Sequence, residues 1–200
     1  MRFLPVFNQP ITAPVSLETG QTLFLTGDEL ARLRFRQVRG GESFTLRDAK
    51  GLYFRARVTS YEAARAWIYV FEAFRMSPEP DIEITLLQAV PARERMLWII
   101  QKAAELGAIR IVPLLTDRSL SAPEDLAKEK IHRWPAAILK AVRQCRRATV
   151  PEIFPPHTLS QALALPLWQE ADLRWLLDDA GGEKISPLIQ PVHRAVLAVG

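Results

Sequence analysis

The 200-residue chain contains one cysteine, Cys145. It cannot close an internal disulfide, and a reducing compartment suits such a chain. No apolar run approaches the roughly 20 residues of a membrane-spanning helix. The opening Met1-Arg2-Phe3-Leu4-Pro5 lacks the long apolar stretch and cleavage site of a secretory signal. These absences predict a cytoplasmic protein with no membrane partner. A Gly-x-x-x-x-Gly-Lys phosphate loop and a Gly-x-Gly-x-x-Gly turn are also missing, which removes the main signatures of nucleotide hydrolysis and dinucleotide binding. The three histidines, His132, His157 and His193, are far apart and have no cysteines at zinc spacing, so no metal site is expected. Cys145 stands at a helical apolar position, which points to packing.

What is present suits a soluble fold. Apolar residues make up 48% and charged residues 24%, the balance of a globular protein able to bury a core. The length favours two domains. A net charge of +4 permits a polyanionic partner and says nothing of fold. Basic residues cluster twice. Arg32, Arg34, Arg36 and Arg39 stand with Arg47, Lys50, Arg55 and Arg57 in the first half, and Lys140, Arg143, Arg146 and Arg147 end a long helical stretch. Arg143 and Arg147 are four residues apart and share a helix face, which suits gripping phosphates. A solvated charged face explains the same pattern. Phe35, Tyr53 and Phe54 interleave with the first cluster, where they serve either base stacking or, as favoured here, a core.

Hydrophobic period separates the two halves. Gln21 to Leu25, Glu42 to Arg47, Leu52 to Val58 and Ala66 to Phe74 alternate with period two between glycine-containing turns, predicting a small antiparallel sheet or barrel. A helix from an Asp28 cap through Val38 interrupts it. Ser77-Pro78-Glu79-Pro80-Asp81 reads as a solvated linker, giving domains over 1–76 and 77–200. Beyond it, strands Ile82 to Val90 and Ile109 to Leu115 flank a helix from Arg93 to Leu106. A helix starting near Trp134, a Leu/Ala-rich helix over Leu159 to Trp168, and strands Leu173 to Leu177 and Ala195 to Val199 follow. That alternation predicts α/β architecture, a mostly parallel sheet covered by helices. Spacing in the first of these helices predicts a buried stripe of Met96, Ile99, Ile100, Ala103 and Leu106, with Met96 and Trp98 as packing residues. Ala195 to Val199 reads as a buried strand whose connection lies past Gly200, where a ligand loop is expected.

Two blocks carry a resemblance. The first runs Gln88-Ala89-Val90-Pro91 to Arg95-Met96, through Gln101-Lys102-Ala103-Ala104-Glu105-Leu106-Gly107, to Pro113-Leu114-Leu115-Thr116-Asp117-Arg118-Ser119. The second is Ala141, Gln144, Arg147 and Val150-Pro151-Glu152-Ile153. In order and spacing they closely resemble ribosomal RNA methyltransferases of the RsmE type. The resemblance implies an N-terminal PUA-like antiparallel β-barrel that binds RNA, then an α/β-knot (SPOUT) methyltransferase domain, incomplete here at its C-terminus. It implies a homodimer that uses S-adenosylmethionine to methylate N3 of a uridine in 16S rRNA of the small ribosomal subunit. The family's last strand enters a Gly-Pro-Glu-Gly-Gly loop, which Ala198-Val199-Gly200 approaches, so the 200 residues by themselves are expected to be inactive. The family's Pro-Lys-Gly-Asp reads Pro91-Ala92-Arg93-Glu94 here, so the lysine's role passes to Arg93 or is lost.

The site expected on these grounds has Leu177, Asp178, Val199 and Gly200 bordering the methyl donor. Arg32, Arg34, Arg36, Arg93, Arg118, Arg143, Gln144 and Arg147 face RNA, and the catalytic base is unassigned. The rival from another class is a noncatalytic RNA-binding module, a barrel plus a partial α/β domain acting by charge.

Overall fold

Residues 7–91, 95–117, 119, 130–177 and 191–200 are described by the computed structural model. The chain divides into an N-terminal unit, Val6–Pro80 with Leu139–Val150, and a C-terminal unit, Asp81–Ile138 with Pro151–Gly200.

In the N-terminal unit the expected alternation becomes a five-stranded sheet. Its elements are β1 (Ile11–Thr12), β2 (Thr22–Leu25), α1 (Gly27–Phe35), β3 (Ser43–Arg47), β4 (Tyr53–Tyr61) and β5 (Ala66–Ala73). The order is β1-β3-β4-β5-β2, with β1 parallel to β3 and the other pairs antiparallel. The two-residue β1 was not expected, being too short to show a period. Asp48 sets the β3–β4 turn: its Oδ1 accepts the backbone N–H of Lys50 at 2.8 Å and of Leu52 at 2.9 Å. Gly51 supplies the left-handed φ of +85° that the turn requires. Register shifts at Arg55/Ala56 and Val58/Ser60 curl the long β4–β5 pair. Phe54, Ala56 and Val58 alternate inward and pack with Ile68, Val70, Leu33 and Leu46 in one core. Phe54 is therefore a core residue, as favoured from sequence.

The helix does not begin at an Asp28 cap. Thr26 is the N-cap, without a side-chain bond, while Asp28 and Glu29 occupy the first turn, where carboxylates favour the helix dipole. Glu29 instead accepts the N–H of Thr12 at 2.8 Å and so fastens β1.

In the C-terminal unit come β6 (Glu83–Ala89), α2 (Arg95–Glu105), β7 (Arg110–Leu115) and a 3-10 turn (Ile131–Arg133). Next is α3 (Trp134–Cys145), whose residues from Leu139 onward group with the N-terminal unit. After it follow β8 (Glu152–Ile153), β9 (His157–Thr158), α4 (Leu159–Leu163), α5 (Pro166–Gln169), β10 (Leu173–Leu177) and β11 (Arg194–Val199). Every strand pair here is parallel, in the order β10-β11-β6-β7-β8, with β9 also on β7. The expected α/β sheet is present. Leu173 to Leu177 lie beside Ala195 to Val199 residue for residue. One core joins Leu87, Val112, Val196 and Ala198 of the strands to Ala162 of α4, with Leu165, Leu167 and Trp168 packed against it.

Three expectations are corrected here. The single helix over Leu159 to Trp168 is two short ones, because Pro166 ends the hydrogen-bond ladder of the first and opens the second. The α2 stripe is rotated: Met96, Ile100, Ala103 and Ala104 are buried, while Trp98 is 65% and Leu106 79% exposed. Cys145 is exposed and not a packing residue.

Candidate functional site

A cavity of about 540 Å³ opens in the N-terminal unit between the α1–β3 connection and the segment Lys140 to Arg147. Its lining holds six cations, Arg36, Arg39, Lys140, Arg143, Arg146 and Arg147, against one carboxylate, Glu42. Both helices that reach it end in left-handed residues other than glycine, Gln37 (φ 56°) after α1 and Arg146 (φ 55°) after α3. Each such residue costs roughly 1 kcal/mol relative to glycine. Both carbonyls are used: Gln37 accepts Arg143 Nη1 at 3.2 Å, and Arg146 accepts Thr45 Oγ1 at 2.6 Å.

Two of the six cations belong to the frame. Arg36 is 2% exposed and donates from Nη2 to the carbonyl of Gln9 at 2.5 Å. Burial lowers its pKa to about 10, against the pull of Glu79, so it stays charged at neutral pH. Arg147 donates to Glu79 Oε2 from Nε at 3.1 Å and Nη2 at 2.6 Å, and to Thr149 Oγ1 at 2.7 Å. Glu79 also accepts the N–H groups of Ala148 at 2.7 Å and Thr149 at 3.1 Å. Ser77 to Asp81 is therefore not simply a solvated linker, for Glu79 anchors the end of α3. Around the rim, Arg39, Lys140, Gln144 and Arg146 are exposed and Arg143 is half-buried.

The C-terminal unit offers a different surface. Ligands of open α/β sheets bind beyond the carboxyl ends of the strands. There Leu177 pairs with Val199, and Val199 with Gln88. Leu177 is 44% exposed. Buried Gln88 donates from Nε2 to the carbonyl of Ala89 at 3.0 Å, holding the strand end in shape. The opposite, amino edge carries a cavity of about 390 Å³ whose ion pairs, Arg110–Glu83 at 3.1 Å and Arg194–Glu170 at 2.8 Å, balance each other. Among the described residues no His/Cys/Asp/Glu group of metal-binding size occurs, and no helix is long and apolar enough to cross a membrane.

Residues 77–200, which hold the whole parallel sheet, match the family model described as RNA methyltransferase domain. The chain belongs to that family. This sequence is 29% identical to ribosomal RNA small subunit methyltransferase E of Synechocystis over 153 residues, covering 76% of this chain and 46% of the relative. Against the protein of the same name from Bacillus subtilis the identity is 26% over 149 residues, 74% of this chain and 58% of that one. The chain thus spans about half the length of the curated relatives it matches. Among solved structures, ribosomal RNA small subunit methyltransferase E from Neisseria gonorrhoeae, bound to S-adenosylmethionine, superposes with a TM-score of 0.56. That match is at 30% identity and covers 96% of this chain and 79% of that one.

The residues picked from sequence fall into three groups. Arg36, Arg143, Gln144 and Arg147 line the cationic cavity of about 540 Å³, although Arg36 and Arg147 stand far apart in the sequence. Leu177, Val199 and Gly200 lie together at the carboxyl edge of the sheet. Arg32 is held by Glu29 at 2.5 Å, and Arg34 donates to the carbonyls of Glu62 and Ala63 at 2.9 Å each while lining a second pocket with Arg39 and Arg143. Arg93, Arg118 and Asp178 lie outside the described residues. Sequence reasoning did not single out Glu79 or Glu42, since nothing in the local pattern distinguishes an anchoring carboxylate from a solvated one.

Proposed function

We propose that the protein is an S-adenosylmethionine-dependent methyltransferase that modifies N3 of a uridine in 16S rRNA of the small ribosomal subunit. It works as a homodimer in the cytoplasm, with residues 1–76 as a PUA-like RNA-binding barrel and 77–200 as a SPOUT α/β-knot domain. The observation that carries this reading is the parallel run β10-β11-β6, with Leu177, Val199 and Gln88 level at its carboxyl edge, inside the stretch matched by the family model.

The residues at that edge suit the donor in one respect: half-exposed apolar Leu177 can meet an adenine face. When bound, S-adenosylmethionine supplies an electrophilic methyl carbon. The task left to the chain is to hold the acceptor nitrogen in line with that carbon and exclude water, since positioning supplies much of the rate in such displacements. The uridine N3 proton must also leave, so a base or a cation stabilising the uracil anion is required. Among the residues proposed to face RNA, Gln144 is exposed and Arg143 half-buried at the rim, whereas Arg36 and Arg147 shape the cavity beneath them.

The test is incubation of a form of the protein that includes the family's Gly-Pro-Glu-Gly-Gly loop with labelled S-adenosylmethionine and small ribosomal subunits lacking the modification, followed by nucleoside mass spectrometry. N3-methyluridine is the expected product, and label on any other nucleoside overturns the uridine assignment. The noncatalytic RNA-binding module is favoured by one observation, that the cationic cavity is complete within the N-terminal unit. A melting shift with the donor separates the readings, because a ligand at 100 times its Kd stabilises by about 2.7 kcal/mol.

A further inference from the structure

The cavity of the N-terminal unit holds more positive charge than its frame needs. Among the described residues, Arg39, Lys140 and Arg146 form no ion pair, and all three side chains stand at the cavity's exposed rim. The one carboxylate of the lining, Glu42, is already engaged by the backbone N–H of Arg39 at 2.8 Å. Beneath the rim, Nε of Arg36 is buried without a hydrogen-bond partner, in a residue whose charge is otherwise held by the Gln9 carbonyl. Like charges gathered without counter-charges repel one another, and an anion in the cavity relieves that repulsion.

We propose that this cavity grips the phosphodiester backbone of single-stranded RNA, with Arg39, Lys140, Arg143 and Arg146 as the contacting cations and Glu42 setting a limit on affinity. The assignment rests on the RNA methyltransferase reading above. It differs in placing the grip on cations free of internal carboxylates and not on Arg32, Arg34 or Arg147. The spread of the charges around a rim suits successive phosphates of a strand better than one small anion. Lys140 and Arg143 lie three apart on α3, so both reach the same side of the helix. Gln144 follows on that rim with one donor and one acceptor group, able to meet a ribose hydroxyl.

The experiment is fluorescence anisotropy of a short labelled single-stranded RNA against the full chain across a salt series. Arg39→Gln, Lys140→Gln and Arg146→Gln should each weaken binding several-fold and lower the log–log salt slope by about 0.7, the counter-ion share of one contact on single strands. Glu42→Gln should tighten binding. Arg75→Gln, an exposed cation outside the cavity with the same change of charge, should alter it far less. Unchanged melting temperatures confirm that the variants fold. If RNA binds but the three cavity variants behave as Arg75→Gln does, the cavity assignment fails while the RNA reading stands. If the unsubstituted chain binds no RNA at any salt, both fail.

Discussion

Glu79 and Arg147, 68 residues apart in the sequence, meet at 2.6 Å with side chains only 9% and 5% exposed. The carboxylate also receives two backbone N–H groups, from Ala148 and Thr149. Removing one partner of a buried pair leaves the other charge without compensation, at about 3–5 kcal/mol. Glu79→Ala should therefore lower the stability of the N-terminal unit by that amount in urea denaturation. Arg65→Ala, which breaks the half-exposed pair with Glu62, should cost no more than about 1 kcal/mol. Equal effects of the two substitutions would remove the anchoring role of Glu79. Loss of methylation in an Arg147 variant has this structural explanation first, so it reports on RNA contact only if stability is unchanged.

The rotated face of α2 gives a second expectation. Met96 is fully buried and Trp98 stands in solvent, so Met96→Ala should cost about 2–5 kcal/mol and Trp98→Ser stay within about 0.5 kcal/mol. Thermal unfolding of both variants checks this. A large loss at Trp98 would show that the tryptophan is covered in solution.

How much of this was readable in advance depended on the kind of signal. Period-two alternation in β3, β4 and β5 and the apolar runs of β10 and β11 are properties of consecutive residues, so those strands fell within a few residues of the expectation. The facing of α2 was not readable to the same degree, because Ile99, Leu106 and Trp98 are as apolar as Met96 and Ile100, and only the packing of the folded unit decides which of them is covered. Glu79 was hidden for a related reason. Between two prolines a glutamate looks solvated until the chain returns from Arg147 to Thr149 with a guanidinium and two free N–H groups. The cationic cavity was half visible: both basic clusters stood out, but which members are frame and which are rim is set by contacts more than a hundred residues apart, such as Arg143 with Gln37.

A pH-dependent term comes from Asp172. It accepts the backbone N–H groups of His193 at 3.0 Å and Arg194 at 2.8 Å, and those bonds, that of Arg194 foremost, hold its carboxyl below the usual carboxylate range. A depressed carboxyl contributes stability above its unfolded pKa of about 3.9, and that contribution is lost as pH falls through the lower folded value. Asp172→Asn should therefore melt lower than the parent at neutral pH, with the gap closing as the solution is acidified through that window. A gap that stays constant, or widens in acid, would show that the ionised carboxylate does not stabilise the join between β10 and β11.

The carboxyl edge of the parallel sheet supports the last expectation. Leu177 ends β10 beside Val199, and its 44% exposure leaves apolar surface uncovered at the place where α/β sheets take ligands. If an adenine face of S-adenosylmethionine rests there, placing an ammonium at that position replaces apolar contact with a group that must stay hydrated. In a form of the protein that includes the family's Gly-Pro-Glu-Gly-Gly loop, Leu177→Lys should then weaken donor binding by about tenfold, equivalent to about 1.4 kcal/mol, in titration calorimetry. Leu106→Lys makes the same chemical change at a more exposed residue, on the end of α2 that leads into the amino edge of β7, and should leave donor affinity as it is. Because the two substitutions alter net charge equally, a shared loss would point to a general electrostatic effect on the donor, and only a loss confined to Leu177 places the donor at the β10–β11 edge.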